Sequence, residues 1–196
     1  MSKNSRVRTR QKGRTTRWAI IAGIWTFFLA LIFALVMRFL LHTIQSIILS
    51  FAILLIIIFI GIVFDMVGMA VTAAEEKPFH AKAAKKISGA KQAIYLVRNA
   101  DKVSSFCNDV IGDISGVASG VAGTVIIINL VMVKPGLSEL YLSIFLTAII
   151  SALTVGGKAV GKAMAINRPT DVVFFIAQFL TGLERLTLGK KRVRTK

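Results

Sequence analysis

The sequence predicts an all-α, polytopic membrane protein with four transmembrane helices and juxtamembrane amphipathic helices. The chain has 196 residues, of which 55% are apolar, and its mean hydropathy is +0.73. Its apolar runs are long enough to span a bilayer, because about 20 helical residues at about 1.5 Å each cross the roughly 30 Å hydrocarbon core. Lys and Arg are concentrated between these runs, and the length suits one domain.

Composition excludes several function classes. The single cysteine, Cys107, excludes a disulfide framework within the chain and a cysteine metal cluster. The two histidines, His42 and His80, are too far apart in sequence to favour a histidine metal site. A net charge of +16 could indicate nucleic acid. The basic residues lie between apolar spans, however, so we expect a bilayer with anionic headgroups as the partner and no nucleic acid.

The first half of the chain divides into a basic tail and two spans. Residues 1–17 contain seven Lys or Arg and no acid, which predicts a flexible cytoplasmic tail. A span follows at about 18–41, and a polar break at 42–46 separates it from a second span at about 47–74. The second span is almost continuously apolar, and Asp65 lies near its inner end.

The segment 75–103 has a different composition, with seven Lys or Arg and three acids. Pro78 marks a break. After it, apolar residues recur at helical spacing, which favours two short amphipathic helices at about 79–99, joined around Ser88-Gly89, with lysines facing headgroups. The alternative is a solvated cytoplasmic loop.

Two further spans complete the membrane domain, which covers 18–188. The third runs over about 104–133, Lys134-Pro135-Gly136 forms a turn, and the fourth runs over about 137–165. After a break at 167–169, an interfacial helix is expected at about 170–188. A basic tail, expected to be disordered, occupies 189–196.

The distribution of charge predicts the orientation. The N-terminus, the 75–103 segment and the C-terminal part carry nearly all the Lys and Arg, whereas the turns at 42–46 and 134–136 contain only Lys134. Four spans with both termini in the cytoplasm satisfy the positive-inside rule at every loop, and we expect the cell membrane as the location.

The third span carries the residues that suggest a site. Asp109 and Asp113 are one helical turn apart and share a face. Asp109 can simply begin the helix. Asp113 is one helical turn deeper in the predicted span than Asp109. Inserting a carboxylate into a membrane helix costs roughly 2.5–3.5 kcal/mol on insertion scales, so Asp113 is expected to face a cation, water or protein. Small-residue spacing predicts close helix packing at Gly112, Gly116, Gly120, Gly157 and Gly161.

Two lysines in the fourth span are open to two interpretations. Lys158 and Lys162 are four residues apart in a stretch of small residues. They either snorkel to the interface or pair with Asp109 or Asp113, because buried membrane charges tend to be paired.

The motif order from Ile60 to about Leu188 resembles the membrane domain of the CNNM/CorB–CorC family of magnesium and cobalt transport proteins. That family has a Phe-Ser-x-Ser-Glu-x-Ala-Leu motif, then a basic helix pair, Gly-Asn, Gly-Glu-Ile-Leu-Pro-Lys and Asn-Pro. The corresponding segments here are 64–71, Gly112-Asp113, 157–162 and Asn167-Arg168-Pro169. The family's two glutamates correspond to Gly68 and Lys158, its asparagine to Asp113 and its motif proline to Gly161. The family's CBS modules are not in this sequence, and there is one additional N-terminal span.

The resemblance implies divalent-cation transport or binding, with Mg²⁺ or Co²⁺ as cargo or cofactor, and a homodimer. Mg²⁺ prefers oxygen ligands. The candidate ligands are Asp65, Asn108, Asp109, Asp113 and Ser115. The alternative function is a non-transporting membrane adaptor or regulatory subunit, in which Lys158 replaces the cation and neutralises Asp113. An enzyme is not expected, because the sequence has no catalytic triad, phosphate loop or metalloprotease spacing.

Overall fold

The computed structural model describes residues 20, 23–39, 46–134, 136 and 138–192, without the side chains of 185 and 187–192. All regular elements in these residues are helices. They are α1 Gly23–Phe39, α2 Ile47–Ala73, α3 Lys77–Ala84, α4 Ala90–Arg98, α5 Ala100–Ser105, a π-helix at Phe106–Gly112, α6 Asp113–Val133, α7 Glu139–Asn167 and α8 Pro169–Arg192.

Three helices in the described part of the chain are long and apolar enough to cross a membrane: Ile47–Ala73, Ala100–Val133 and Glu139–Asn167. This confirms the prediction of an all-α protein with helices that can span a membrane. The described part of the expected first span is the apolar helix α1 of 17 residues, and both ends of that expected span lie outside the described residues. The N-terminal tail also lies outside them, whereas α8 extends through Arg192 into the segment expected to be a disordered tail.

Helix α2 is the centre of the bundle and contacts α4, α5, the π-helix, α6, α7 and α8. Ser46 caps its N-terminus: the Ser46 hydroxyl accepts a hydrogen bond from the Leu49 amide at 3.4 Å. Its N-terminal half packs with α6 and α7 in one apolar cluster, through Leu54 and Ile58. Its C-terminal half joins a second cluster with α4 and α8 that includes Val71. Asp65 lies between the two clusters.

The segment between α2 and α5 folds back against α8. Phe79, in α3, and Ala93, in α4, are fully buried in the second cluster. Gly89 has φ of +89° in the turn before α4, and an added Cβ there would meet the Gln178 backbone at 3.0 Å, so the turn requires glycine. The Lys82 ammonium lies 3.8 Å from the centroid of the Phe174 ring, a cation–π contact between α3 and α8.

Glu76 connects α3 to α4 on the exposed side of this segment. Its carboxylate accepts hydrogen bonds from His80 at 3.1 Å and from Arg98 at 3.0 Å. These two hydrogen bonds, that of His80 first, hold the pKa of Glu76 below its ordinary value. The link therefore contributes at neutral pH and is lost as acid protonates the carboxylate.

Helices α2 and α6 approach closely where Gly61 faces Ser115. A Cβ on Gly61 would lie 2.8 Å from the Ser115 Cβ, an atom that no side-chain rotation can move. The Ser115 hydroxyl donates to the Ile111 carbonyl at 2.7 Å, within its own helix. Small residues therefore allow the backbones to pack in contact, as is common between membrane helices.

We predict that Gly61→Ala lowers the stability of the intact chain in detergent by about 1–3 kcal/mol, because overpacking separates α2 from α6. Thermal unfolding measures the loss. The matched control is Gly156→Ala, whose added Cβ has no atom within 4 Å. Adding Ser115→Gly to Gly61→Ala should recover most of the stability. Equal effects of Gly61→Ala and Gly156→Ala would contradict this packing account.

Candidate functional site: a buried carboxylate between two lysines

The described part of the bundle holds one buried carboxylate, that of Asp65 on α2, with a relative exposure of 5%. The Lys162 ammonium lies 3.4 Å from Oδ2, and the Lys158 ammonium lies 4.0 Å from Oδ1. Both lysines come from α7, on successive turns. Lys158 is the more buried, with 23% of its side chain exposed against 46% for Lys162. We call Asp65, Lys158 and Lys162 the ionic cluster.

Glycines bring the two lysines within reach of Asp65. A Cβ on Gly157 would collide with the Ile62 side chain, and one on Gly161 would meet Ile62 and Met66 at 3.4 Å. The residue after each glycine is a lysine. Ile62 and Met66 lie near Asp65 on α2. The packing of α7 against these two side chains therefore also places the lysine ammonium groups beside the carboxylate.

The π-helix also contacts α2 around the ionic cluster. Asn108 packs its amide directly on Gly68 of α2, at a distance that leaves no space for a Cβ. Gly112 lies over the ionic cluster: a Cβ there would be 3.6 Å from the Lys158 ammonium and 3.9 Å from Asp65 Oδ1. A π-helical turn is rare and often occurs at a functional site. Here it brings Asn108 and Gly112 to the same side of α2.

Two buried oxygens at this contact lack a hydrogen-bond partner among the described residues, Asp65 Oδ2 and Asn108 Oδ1. The contact of Asp65 Oδ2 with Lys162 is therefore electrostatic, at ion-pair distance but without hydrogen-bond geometry. A buried acceptor without a donor costs about 1–3 kcal/mol. The carboxylate of Asp65 is thus compensated by two ammonium groups, which leave the ionic cluster with a net charge of +1, but its hydrogen bonding is incomplete.

The structure corrects the expected surroundings of Asp113. Asp109 and Asp113 share a face, as predicted, but both are exposed. Neither makes a hydrogen bond or ion pair with a described residue. Lys158 and Lys162, the expected partners of these two aspartates, contact Asp65 instead. The physical reason is that Asn108 and Gly112, one residue before each aspartate, face α2, and one residue rotates a helix by roughly a quarter of a turn.

Some of the remaining predicted site residues pack against neighbouring helices, and others face an open groove. Ser115 is buried at the α2–α6 contact, with its hydroxyl bonded to its own helix. Of the predicted packing glycines, Gly112, Gly157 and Gly161 face neighbouring side chains or backbone, whereas nothing lies within 4 Å of a Cβ on Gly116 or Gly120. These last two line an open groove of about 510 Å³ between α6 and α7.

The described residues include no group of three or more His, Cys, Asp or Glu side chains placed to hold a metal ion. Comparisons of the chain with protein-family models, with curated proteins and with solved structures find no match. The argument about function therefore depends on the geometry of the ionic cluster.

Sequence reasoning missed the pairing of Asp65 with the two lysines, although a signal was present. Asp65 is the one ionisable residue in α2, and Lys158 and Lys162 are the two basic residues in α7. If the charged residues of different spans are compared first, Asp65 of α2 is the natural partner of Lys158 and Lys162 of α7. This comparison predicts the ionic cluster without using the spacing of residues within one span.

We predict that the double variant Lys158→Met/Lys162→Met is destabilised far more than the sum of its single variants. Each single variant leaves Asp65 one ammonium, so it should cost about 1 kcal/mol or less, as partly exposed ion pairs do. The double variant leaves a buried carboxylate without a cation, at about 3–5 kcal/mol. Thermal unfolding of all variants in one detergent gives the coupling energy.

Adding Asp65→Asn to the double variant should restore most of the lost stability, because the buried charge is removed. Additive losses, or no recovery with Asp65→Asn, would show that the lysines do not neutralise Asp65.

Proposed function

We propose that the chain crosses the cell membrane four times, with both termini in the cytoplasm. Helix α1 is apolar, and its exposed side chains include large ones such as Trp25 and Phe28, which suits contact with lipid. The sequence that flanks it extends the apolar run to about 18–41. Basic residues in 1–17 and in 75–103 favour the cytoplasmic side for both segments. An even number of crossings between the N-terminus and α3 satisfies both preferences.

Cysteine accessibility tests this topology. In a Cys107→Ala background, we predict that Ser5→Cys and Ser88→Cys are labelled by a membrane-impermeant maleimide only after cells are opened. Gly136→Cys, at the turn between α6 and α7, should be labelled in intact cells. Labelling of Ser5→Cys in intact cells would place the N-terminus outside and support three crossings.

Within this topology, we propose that the protein is a non-transporting membrane adaptor or regulatory subunit. The observation that carries the proposal is the occupation of the surroundings of Asp65 by two ammonium groups, at 3.4 and 4.0 Å. A divalent cation bound to Asp65 would have to displace both. In the resemblance to the CNNM/CorB–CorC family, Lys158 takes the position of a glutamate, and this supports loss of an ion site.

The charge balance supports replacement of a cation by side chains. Two ammonium groups carry the same charge as one divalent cation, so a carboxylate with two lysines has the net charge of a carboxylate with Mg²⁺. Lysines are attached to the chain and cannot be released. A site neutralised in this way holds α7 on α2 but lacks the binding and release that transport requires.

Divalent-cation transport remains the second candidate, and the two unpartnered oxygens favour it. Asp65 Oδ2 and Asn108 Oδ1 are buried acceptors at the contact of α2 with the π-helix. Mg²⁺ and Co²⁺ accept such oxygen ligands. Both lysines are partly exposed, so a rearrangement that withdraws them toward headgroups would free Asp65. This function also fits the family resemblance.

Flux measurements distinguish the two functions. We predict that the purified full chain, in vesicles containing a Mg²⁺-sensitive dye, gives no influx above protein-free vesicles, and that Asp65→Asn behaves identically. Insertion is verified on the same vesicles by maleimide labelling of Gly136→Cys. Appearance of flux in Lys158→Glu would support an ion site that Lys158 has replaced.

Mg²⁺ or Co²⁺ influx through the wild-type chain that Asp65→Asn abolishes would overturn the adaptor proposal and establish transport. Asp113→Ala is the companion variant, because its exposed carboxylate has no described partner. Loss of wild-type influx in Asp113→Ala alone would move the ion site away from the ionic cluster.

A further inference from the structure

A cleft of about 690 Å³ opens where α7 ends and α8 begins. Its walls come from α2, α7 and α8, and most of the lining is apolar. The apolar lining residues are Phe59, Val63, Met66, Met164, Val172, Phe175 and Ile176. Helix α7, a candidate membrane span, ends at Asn167, so the cleft lies at one end of that span.

The polar lining of the cleft is confined to the α7–α8 junction: Asn167, Arg168 and Asp171. All three side chains are exposed, and none makes a hydrogen bond or ion pair with a described residue. Arg168 and Asp171 are three residues apart at the start of α8, and both line the cleft, yet they do not pair with each other. The cleft therefore presents an unpaired guanidinium and an unpaired carboxylate beside an apolar trough.

This arrangement has the charge pattern of a phospholipid whose headgroup carries a primary ammonium. We propose that the cleft binds one such lipid, with its phosphate on Arg168, its ammonium on Asp171 and an acyl chain along Phe59 and Phe175. A guanidinium binds phosphate oxygens in a bidentate manner. A primary ammonium donates three hydrogen bonds, which a carboxylate accepts. The amide of Asn167 can donate to a remaining phosphate oxygen.

Charge complementarity separates this lipid from the two common alternatives. An anionic glycerol headgroup would satisfy Arg168 but would leave Asp171 beside a second negative charge. A choline headgroup is neutral overall, but its quaternary ammonium has no hydrogen to donate to Asp171. The ammonium lipid matches both side chains, so Asp171 sets the choice of headgroup and Arg168 sets the affinity.

Quenching by brominated lipids tests the proposal on the full chain in vesicles of phosphatidylcholine. Phe175→Trp places a reporter in the cleft, and Ile144→Trp is the matched control on the outer surface of α7, because the native side chains are 69% and 58% exposed. The chain already has two tryptophans, so the reporter signal is the fluorescence of the variant minus that of the wild type. Its quenching is measured as the fraction of acyl-brominated phosphatidylethanolamine or phosphatidylglycerol in the vesicles is raised. We predict a preference for phosphatidylethanolamine at Phe175→Trp of roughly two- to fivefold, the range of one exposed ion pair, and none at Ile144→Trp.

Two further substitutions assign the contacts. Asp171→Asn should abolish or reverse the preference for phosphatidylethanolamine, and Arg168→Gln should reduce quenching by both lipids to that of Ile144→Trp. Lys91→Gln, a basic residue outside the cleft, should change neither. An unchanged preference in Asp171→Asn, or equal quenching of both reporters in the otherwise wild-type chain, would overturn the proposal. Absence of quenching at Phe175→Trp would show that protein, such as a second copy of the chain, covers the cleft.

Discussion

The bundle depends on neutralising one carboxylate in the middle of its central helix. Removing a carboxylate and an ammonium from water costs several kcal/mol per ion, and only a close partner offsets that cost. Asp65 is buried on α2 between Ile58 of one apolar cluster and Val67 of the other, so the compensation of its charge has to come from neighbouring helices. The lysines of α7 must stay near Asp65, and this fixes the rotation of α7 about its axis and its position along α2.

The same requirement explains where the small residues lie. A Cβ on Gly157 would displace the end of the Ile62 side chain, and one on Gly161 would contact Ile62 and Met66, so small residues lie where the α7 backbone is close to α2 beside Asp65. At the π-helix, Gly68 accepts Asn108, and Gly112 leaves room above the cluster. Gly116 and Gly120 of α6 face an open groove. Of the glycines at four-residue spacing in this segment, Gly112 therefore lies at the buried charge, whereas Gly116 and Gly120 do not.

The helices could be predicted from the sequence, whereas the contacts between them could not. Long apolar runs and breaks at proline and glycine fix the extent of a span, and α2 and α7 begin and end within about two residues of the predicted bounds. The face that a membrane helix turns to its neighbours is harder to predict, because lipid-facing and buried positions are both apolar. Asp113 and Gly112 are adjacent, and only the packing of the π-helix against α2 shows that Gly112 faces inward. The π-helix itself has no pattern of its own in the sequence.

A tethered charge and a bound ion have different consequences for function. Transport requires a site whose occupant leaves, so the site must be stable both when filled and when empty. Asp65 would be left as an uncompensated buried charge if both neutralising groups departed, and two tethered lysines make this less favourable than the release of one bound ion. Lys158 and Lys162 are covalently part of α7, so their positive charges at Asp65 also join α2 to α7. If the ionic cluster only joins the helices, as the adaptor proposal requires, any recognition has to come from other surfaces, of which the cleft at Arg168 is the one proposed above.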